Sequence, residues 1–84
     1  MEYKIKFTPF FENQLKKLKR KDKVLFERLI KKLKELRQNP EHYKPLRNVL
    51  KGNRRAQLGP FVLIFDIEGE LITVHYVKHH DKAY

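Results

Sequence analysis

The chain has 84 residues, no cysteine and a formal net charge of +10 at pH 7. This length predicts one small domain over residues 1–84 with a modest core, which argues against a deep enclosed pocket. The lack of cysteine excludes disulfides and thiolate metal sites. No apolar stretch approaches the ~20 residues that span a bilayer, and the first ten residues lack the apolar run of a signal peptide. We therefore expect a cytoplasmic protein with no membrane partner.

The positive charge is concentrated in the first two-thirds of the chain. Residues 1–55 carry 18 basic and 6 acidic side chains, whereas residues 56–84 carry 2 and 4. A field of this sign and strength attracts polyanions, of which nucleic acid is the commonest for a small basic domain. The alternative interpretation is a lysine-rich surface that only keeps the protein in solution.

The first half predicts a strand followed by two helices. EYKIKF alternates apolar and polar residues, as in a half-buried strand, and Thr8-Pro9 is a typical helix start. Asp22 is a plausible cap for a second helix, which Asn39-Pro40 ends. Two amphipathic helices so close in sequence predict an antiparallel hairpin. The apolar residues at helical spacing in the second helix are Leu25, Phe26, Leu29, Ile30, Leu33 and Leu36, and we expect them in the core.

The second half predicts a meander of three antiparallel strands. RRAQL has Arg55 and Gln57 on one face and ends at Gly59-Pro60; the apolar FVLIFDI and the returning LITVHYV are joined by Glu68-Gly69. The predicted fold class is therefore α+β with the order β-α-α-β-β-β. The helices can cover one face of the sheet, which leaves the other face open.

Arg54-Arg55 and the last residues, 77–84, lie at predicted strand ends, and we expect the sheet to bring them toward one edge. Candidate phosphate-binding residues are Lys51, Arg54, Arg55, Lys78 and Lys82, and candidate catalytic residues are Arg55, His79, His80 and Tyr84. A histidine has an unperturbed pKa near ~6.5, which suits transfer of a proton in RNA cleavage by the 2′-hydroxyl. Arginine binds phosphate bidentately, and tyrosine can stack on a base. The histidines lack ligand spacing, so we expect no metal and no cofactor, and we interpret His75, inside a strand, as structural.

The ordered set of residues over 50–84 resembles the RelE/ParE family of toxins from toxin–antitoxin pairs. The matching positions are Leu50, Gly52, Arg55, Gly59, Phe61, Phe65, Gly69, His79 and Tyr84. The resemblance implies a RelE-like, microbial ribonuclease-type fold and silencing by an acidic, RelB-like antitoxin. It also implies contact with operator DNA only through that antitoxin. RelE-like members cut mRNA on the ribosome without a metal, and ParE-like members inhibit DNA gyrase.

Three positions depart from the family pattern, because Gln57, Val62 and His80 stand where the family has arginines. Each lost arginine removes a charge-assisted contact of roughly 1.5–3 kcal/mol. Three functions therefore stay open: a ribosome-dependent endoribonuclease, which we favour, a ParE-like gyrase inhibitor, and an inactive relative that binds antitoxin and operator.

Overall fold

The computed structural model describes residues 3–42 and 53–80, so Lys51, Lys82 and Tyr84 lie outside the described residues. The elements are the strand β1 (Lys4–Phe7), the helices α1 (Pro9–Lys21) and α2 (Lys23–Gln38), a 3₁₀ turn (Pro40–His42), and the strands β2 (Asn53–Leu58), β3 (Phe61–Glu68) and β4 (Leu71–His79). This order confirms the predicted β-α-α-β-β-β architecture. No helix in the described part of the chain is long and apolar enough to cross a bilayer.

The strands form one sheet in the order β1-β4-β3-β2. β3 pairs antiparallel with both β2 and β4, and β1 runs parallel to β4, with Lys4 opposite Leu71 and Phe7 opposite Val74. The two turns of the meander contain glycines with positive φ, Gly59 at 59° and Gly69 at 64°. A residue with a Cβ is strained at such angles, which explains why glycine punctuates the chain at these two points.

The predicted caps define the helices. The hydroxyl of Thr8 accepts a hydrogen bond from the Phe11 amide at 3.1 Å, and the carboxylate of Asp22 accepts one from Leu25 at 3.1 Å. Asp22 is therefore the single residue between α1 and α2, because its side chain begins one helix where its own N–H ends the other.

The core lies between the two helices and one face of the sheet. Its buried members are Phe11, Leu25, Leu29, Leu33, Leu36, Ala56, Leu63, Phe65, Ile72, Val74 and Val77. Ile30, Phe61 and Ile67 are partly buried against them, as expected for core-facing positions. Phe26 is the exception, since it is partly exposed and lies outside this cluster.

The outer edge of β4 is completed by the side chains of Thr8, which caps α1, and of Gln14 within α1. β1 has only four residues and pairs with β4 no further than Val74. Beyond that point the Thr8 hydroxyl donates to the carbonyl of His75 at 2.9 Å. The amide of Gln14 then donates to the carbonyl of Val77 at 2.8 Å and accepts from its N–H at 2.9 Å. Gln14 thus takes the place of a neighbouring strand for a buried backbone segment.

Replacement of Gln14 by alanine is expected to lower the free energy of unfolding by about 1–3 kcal/mol, because it leaves the buried N–H and carbonyl of Val77 without partners. Chemical denaturation measures the change. Lys16→Ala is the matched control on the same helix: Lys16 is exposed, so its replacement should stay within about 0.5 kcal/mol of the parent. Equal stabilities for the two variants would mean that Gln14 does not support β4.

Candidate functional site

The two faces of the sheet have different chemistry. Side chains of directly paired residues point to the same side of a sheet, so the register assigns each residue to a face. The core side contains Ala56, Leu63, Phe65, Val74 and Val77. The opposite side, which we call the open face, contains Lys4, Lys6, Arg55, Gln57, Val62, Ile64, Asp66, Thr73, Tyr76 and Lys78. The basic residues on this face are positioned to contact a flat, extended ligand; they are Lys4, Lys6, Arg55 and Lys78.

Arg55 occupies the middle of the open face. It pairs with Ile64, which in turn pairs with Tyr76. Its side chain is exposed, and within residues 3–42 and 53–80 it has no ion-pair partner. A guanidinium held on a rigid strand without a carboxylate partner is well suited to bind a phosphate.

One cross-strand row contains two of the three departures from the family pattern. Gln57 pairs with Val62, and Val62 pairs with Lys78. Val62 is 3% exposed, and the Gln57 amide donates to the carbonyl of Gly59 at 2.9 Å. Neither Gln57 nor Val62 can supply a positive charge, so Lys78 is the only cation among the three residues of this row. Because β2 and β4 lie roughly 10 Å apart on either side of β3, Arg55 and Lys78 can bind one ligand from opposite sides.

His80, the third departure, lies at the same end of the sheet as this row. Its N–H donates to the carbonyl of Pro60 at 2.6 Å, and its side chain is exposed. The turn between β2 and β3 therefore fixes the backbone at His80. His80 is positioned by the sheet and is not part of a free terminus.

Arg54 and His79 lie on the core side, away from Arg55 and Lys78. His79 pairs with Phe61, and the centroids of the two rings are 5.2 Å apart with the planes at 78°. Arg54 pairs with Phe65. The hydrogen bond from Tyr3 to Glu41 raises the pKa of Tyr3, and the nearby charge of Arg54 opposes this rise. Arg54 and Arg55 are adjacent in sequence but lie on opposite faces of the sheet, and the same is true of Lys78 and His79.

A carboxylate and an imidazole that sequence reasoning did not join meet on the open face. The Nε2 atom of His75 lies 2.7 Å from Oδ2 of Asp66, and the two side chains are 32% and 29% exposed. The cause is an irregular register: Ile64 pairs with Tyr76, but Phe65 pairs with Val74, so His75 is an extra residue. Bulges of this kind redirect a side chain. No spacing in the sequence signals this bulge.

A groove lies on the core side beside α1. It has a volume of about 420 Å³ and is lined by Phe10, Asn13, Gln14, Lys17, Leu18, Leu25, Phe61 and Val77. Phe10, on its rim, is 58% exposed. An apolar groove with amide and lysine groups suits an amphipathic acidic peptide better than a nucleic acid.

The described residues contain no group of three or more histidine, cysteine, aspartate or glutamate side chains placed to hold a metal ion.

Comparison with known proteins gives one consistent result. Residues 5–84 match the family described as the ParE toxin of the type II toxin–antitoxin system parDE. A protein of Methanocaldococcus jannaschii named "Putative toxin RelE4" is 38% identical over 85 residues, covering 98% of this chain and 90% of that protein.

Solved structures agree on the fold. The RelBE2 toxin–antitoxin complex of Mycobacterium tuberculosis aligns with a TM-score of 0.82 at 24% identity, covering 94% of this chain and 99% of the other. The archaeal RelE–RelB complex of Pyrococcus horikoshii aligns with a TM-score of 0.75 at 21% identity, covering 99% and 100%. On the family match and the relative from M. jannaschii, the chain belongs to the RelE/ParE family of toxins of type II toxin–antitoxin systems.

Proposed function

We propose that this toxin is a metal-independent endoribonuclease that cuts mRNA on the ribosome and so inhibits translation in the cytoplasm. The observation that carries the proposal is the open face, where Arg55 and Lys78 face the solvent side of a rigid sheet and His80 stands at its end. Arg55 and Lys78 are cations, and His80 is a proton-transfer group, of the kinds that cleavage by a 2′-hydroxyl uses.

The proposed reaction divides the work among few side chains. A base takes the proton of the 2′-hydroxyl, whose oxygen attacks the adjacent phosphorus, and an acid protonates the departing 5′-oxygen. We assign one of these proton transfers to His80. Arg55 and Lys78 stabilise the negative charge that develops on the phosphate oxygens. Tyr84 would stack on a base, and Lys51 and Lys82 would add phosphate contacts.

We leave His79 and Arg54 out of the proposed reaction centre. Both lie on the side of the sheet opposite Arg55, so neither can contact a phosphate that Arg55 and Lys78 hold. His79 instead packs its ring edge-on against that of Phe61.

We further propose that an acidic, RelB-like antitoxin silences this toxin, and that operator DNA is contacted only through that antitoxin. The net charge of +10 attracts an acidic segment. The groove with the exposed ring of Phe10 adds apolar surface that such a segment can bury. The solved relatives from M. tuberculosis and P. horikoshii are themselves complexes of a toxin with an antitoxin.

Inhibition of DNA gyrase is the second candidate function. The family matched by residues 5–84 is described by its ParE members, and Gln57 and Val62 leave the row beside Lys78 with fewer cations than an RNA-cutting site would use. A toxin that acts only by binding gyrase needs no proton-transfer group.

The proposed reaction assigns a proton transfer to His80 and base stacking to Tyr84. Purified toxin added to translating ribosomes is expected to cut mRNA within codons, and the variant His80→Ala, Tyr84→Ala to be slower by about 10²–10⁴-fold, the usual range for a lost acid or base. Primer extension maps the cuts. His42→Ala is the control, because His42 lies in the 3₁₀ turn away from the sheet end. Intact mRNA together with inhibited supercoiling by gyrase would identify the second function, and neither effect would leave binding alone.

On the open face, Arg55 is proposed to contact a phosphate of the RNA. Arg55→Ala is expected to weaken binding of a 2′-O-methyl RNA, which cannot be cleaved, and to reduce the salt dependence of the binding constant by about 0.7 in logarithmic slope, as one phosphate contact is lost. Fluorescence anisotropy at several salt concentrations gives the slope. Lys16→Ala removes the same charge from α1 and should leave the slope nearly unchanged. A slope unchanged by Arg55→Ala would rule out a phosphate contact at Arg55, and a slope reduced by Lys16→Ala would place RNA on α1.

A further inference from the structure

We propose that Asp66 and His75 form a nucleobase-binding subsite on the open face, selective for guanine. This inference rests on the proposed binding of RNA to that face. It shares Arg55 with the proposed reaction centre, but it involves neither His80 nor the row of Gln57, Val62 and Lys78.

Distance separates the Asp66–His75 pair from His80. A strand rises about 3.3 Å per residue, so roughly 16–17 Å of backbone separates His75 from His80. Groups that transfer protons must come within about 2.6–3.2 Å of the reacting atoms. His75 also points toward Asp66, which lies nearer to the hairpin at Gly69 than to His80. His75 and His80 therefore cannot serve the same phosphate, and the pair faces a neighbouring nucleotide.

The geometry of the pair suits recognition more than catalysis. The contact of 2.7 Å between His75 and Asp66 holds the carboxylate in one orientation. That contact uses one oxygen, and a carboxylate has about four acceptor positions, so Oδ1 and the remaining lone pairs can accept two further N–H groups. The side chains stay about one-third exposed, which leaves room for a base edge.

Guanine is the base that this acceptor fits. Its N1–H and N2–H₂ donors adjoin on one edge and can bind a carboxylate with two parallel hydrogen bonds. Adenine and cytosine place an acceptor beside their exocyclic amine, and uracil flanks its one donor with two acceptors. A bidentate contact of this kind discriminates between bases by about fivefold or more.

Basic residues near the Asp66–His75 pair can bind a phosphate of the nucleotide whose base the pair recognises. Arg55 pairs with Ile64, two residues before Asp66, and such diagonal neighbours are about 7–8 Å apart, within reach of a long side chain. Lys6 pairs with Thr73, which pairs with Asp66. Two cations therefore flank the pair, from β2 and from β1, and offset the repulsion between Asp66 and an RNA backbone.

The test is an NMR titration of the whole chain with the 5′-monophosphates of guanosine, adenosine, cytidine and uridine. We expect the guanosine nucleotide to bind at least fivefold more tightly and to shift the amide signals of Asp66, Thr73 and His75. Asp66→Asn should abolish that preference, since an amide supplies one acceptor in place of two. Glu27→Gln, an exposed carboxylate on α2, is the matched control and should retain it.

A further variant separates recognition from folding. His75→Gln can still donate to Asp66, so it should keep the guanosine preference, whereas His75→Ala should reduce it in a protein with an otherwise preserved spectrum. Equal affinity for the four nucleotides, or shifts confined to Arg55 and its neighbours, would overturn the proposal. The titration does not depend on cleavage: guanosine selectivity in a protein that leaves mRNA intact would refute the nuclease and retain the subsite.

Discussion

The backbone of β4 must find hydrogen-bond partners on both sides, yet its neighbour β1 is only four residues long. Thr8 and Gln14 satisfy the remaining edge from α1, and this requirement fixes α1 against the sheet. The position of α1 then determines that of α2 through the single connecting residue Asp22. The helices therefore cover one face only, and the other face is left for ligands.

The same edge contact also supports the bulge. The carbonyl of His75 is held by the hydroxyl of Thr8, which also caps α1. With His75 inserted, Val74 and Val77 both reach the core, while His75 meets Asp66 on the opposite side. A strand without the extra residue would place Val77 on the open face. The packing of the core and the chemistry of the open face thus depend on one irregularity.

Much of this arrangement could be read from the residues, because it depends on local patterns. Alternation in EYKIKF, the Thr8-Pro9 start and the glycines at 59 and 69 each determine an element over a few positions. The faces of β2 also followed from alternation, with Ala56 inside and Arg55 outside. Adjacency in sequence did not predict position: Arg54 and Arg55 share a motif but lie on opposite faces, as do Lys78 and His79. The bulge at His75 was missed because it depends on how β3 pairs with β4 and on a hydrogen bond from Thr8, a residue distant in the sequence.

The parallel pairing of β1 with β4 joins residues near the two ends of the described chain, with Thr8 and His75 bonded across 67 positions. Contacts of such separation form late and slowly, because a long loop must close before they stabilise the chain. A growing chain on its ribosome cannot complete the sheet until residues 71–79 have been synthesised. The open face therefore cannot form until β4, the last strand of the described residues, has been synthesised, so this topology keeps the sheet incomplete through most of the synthesis of the domain.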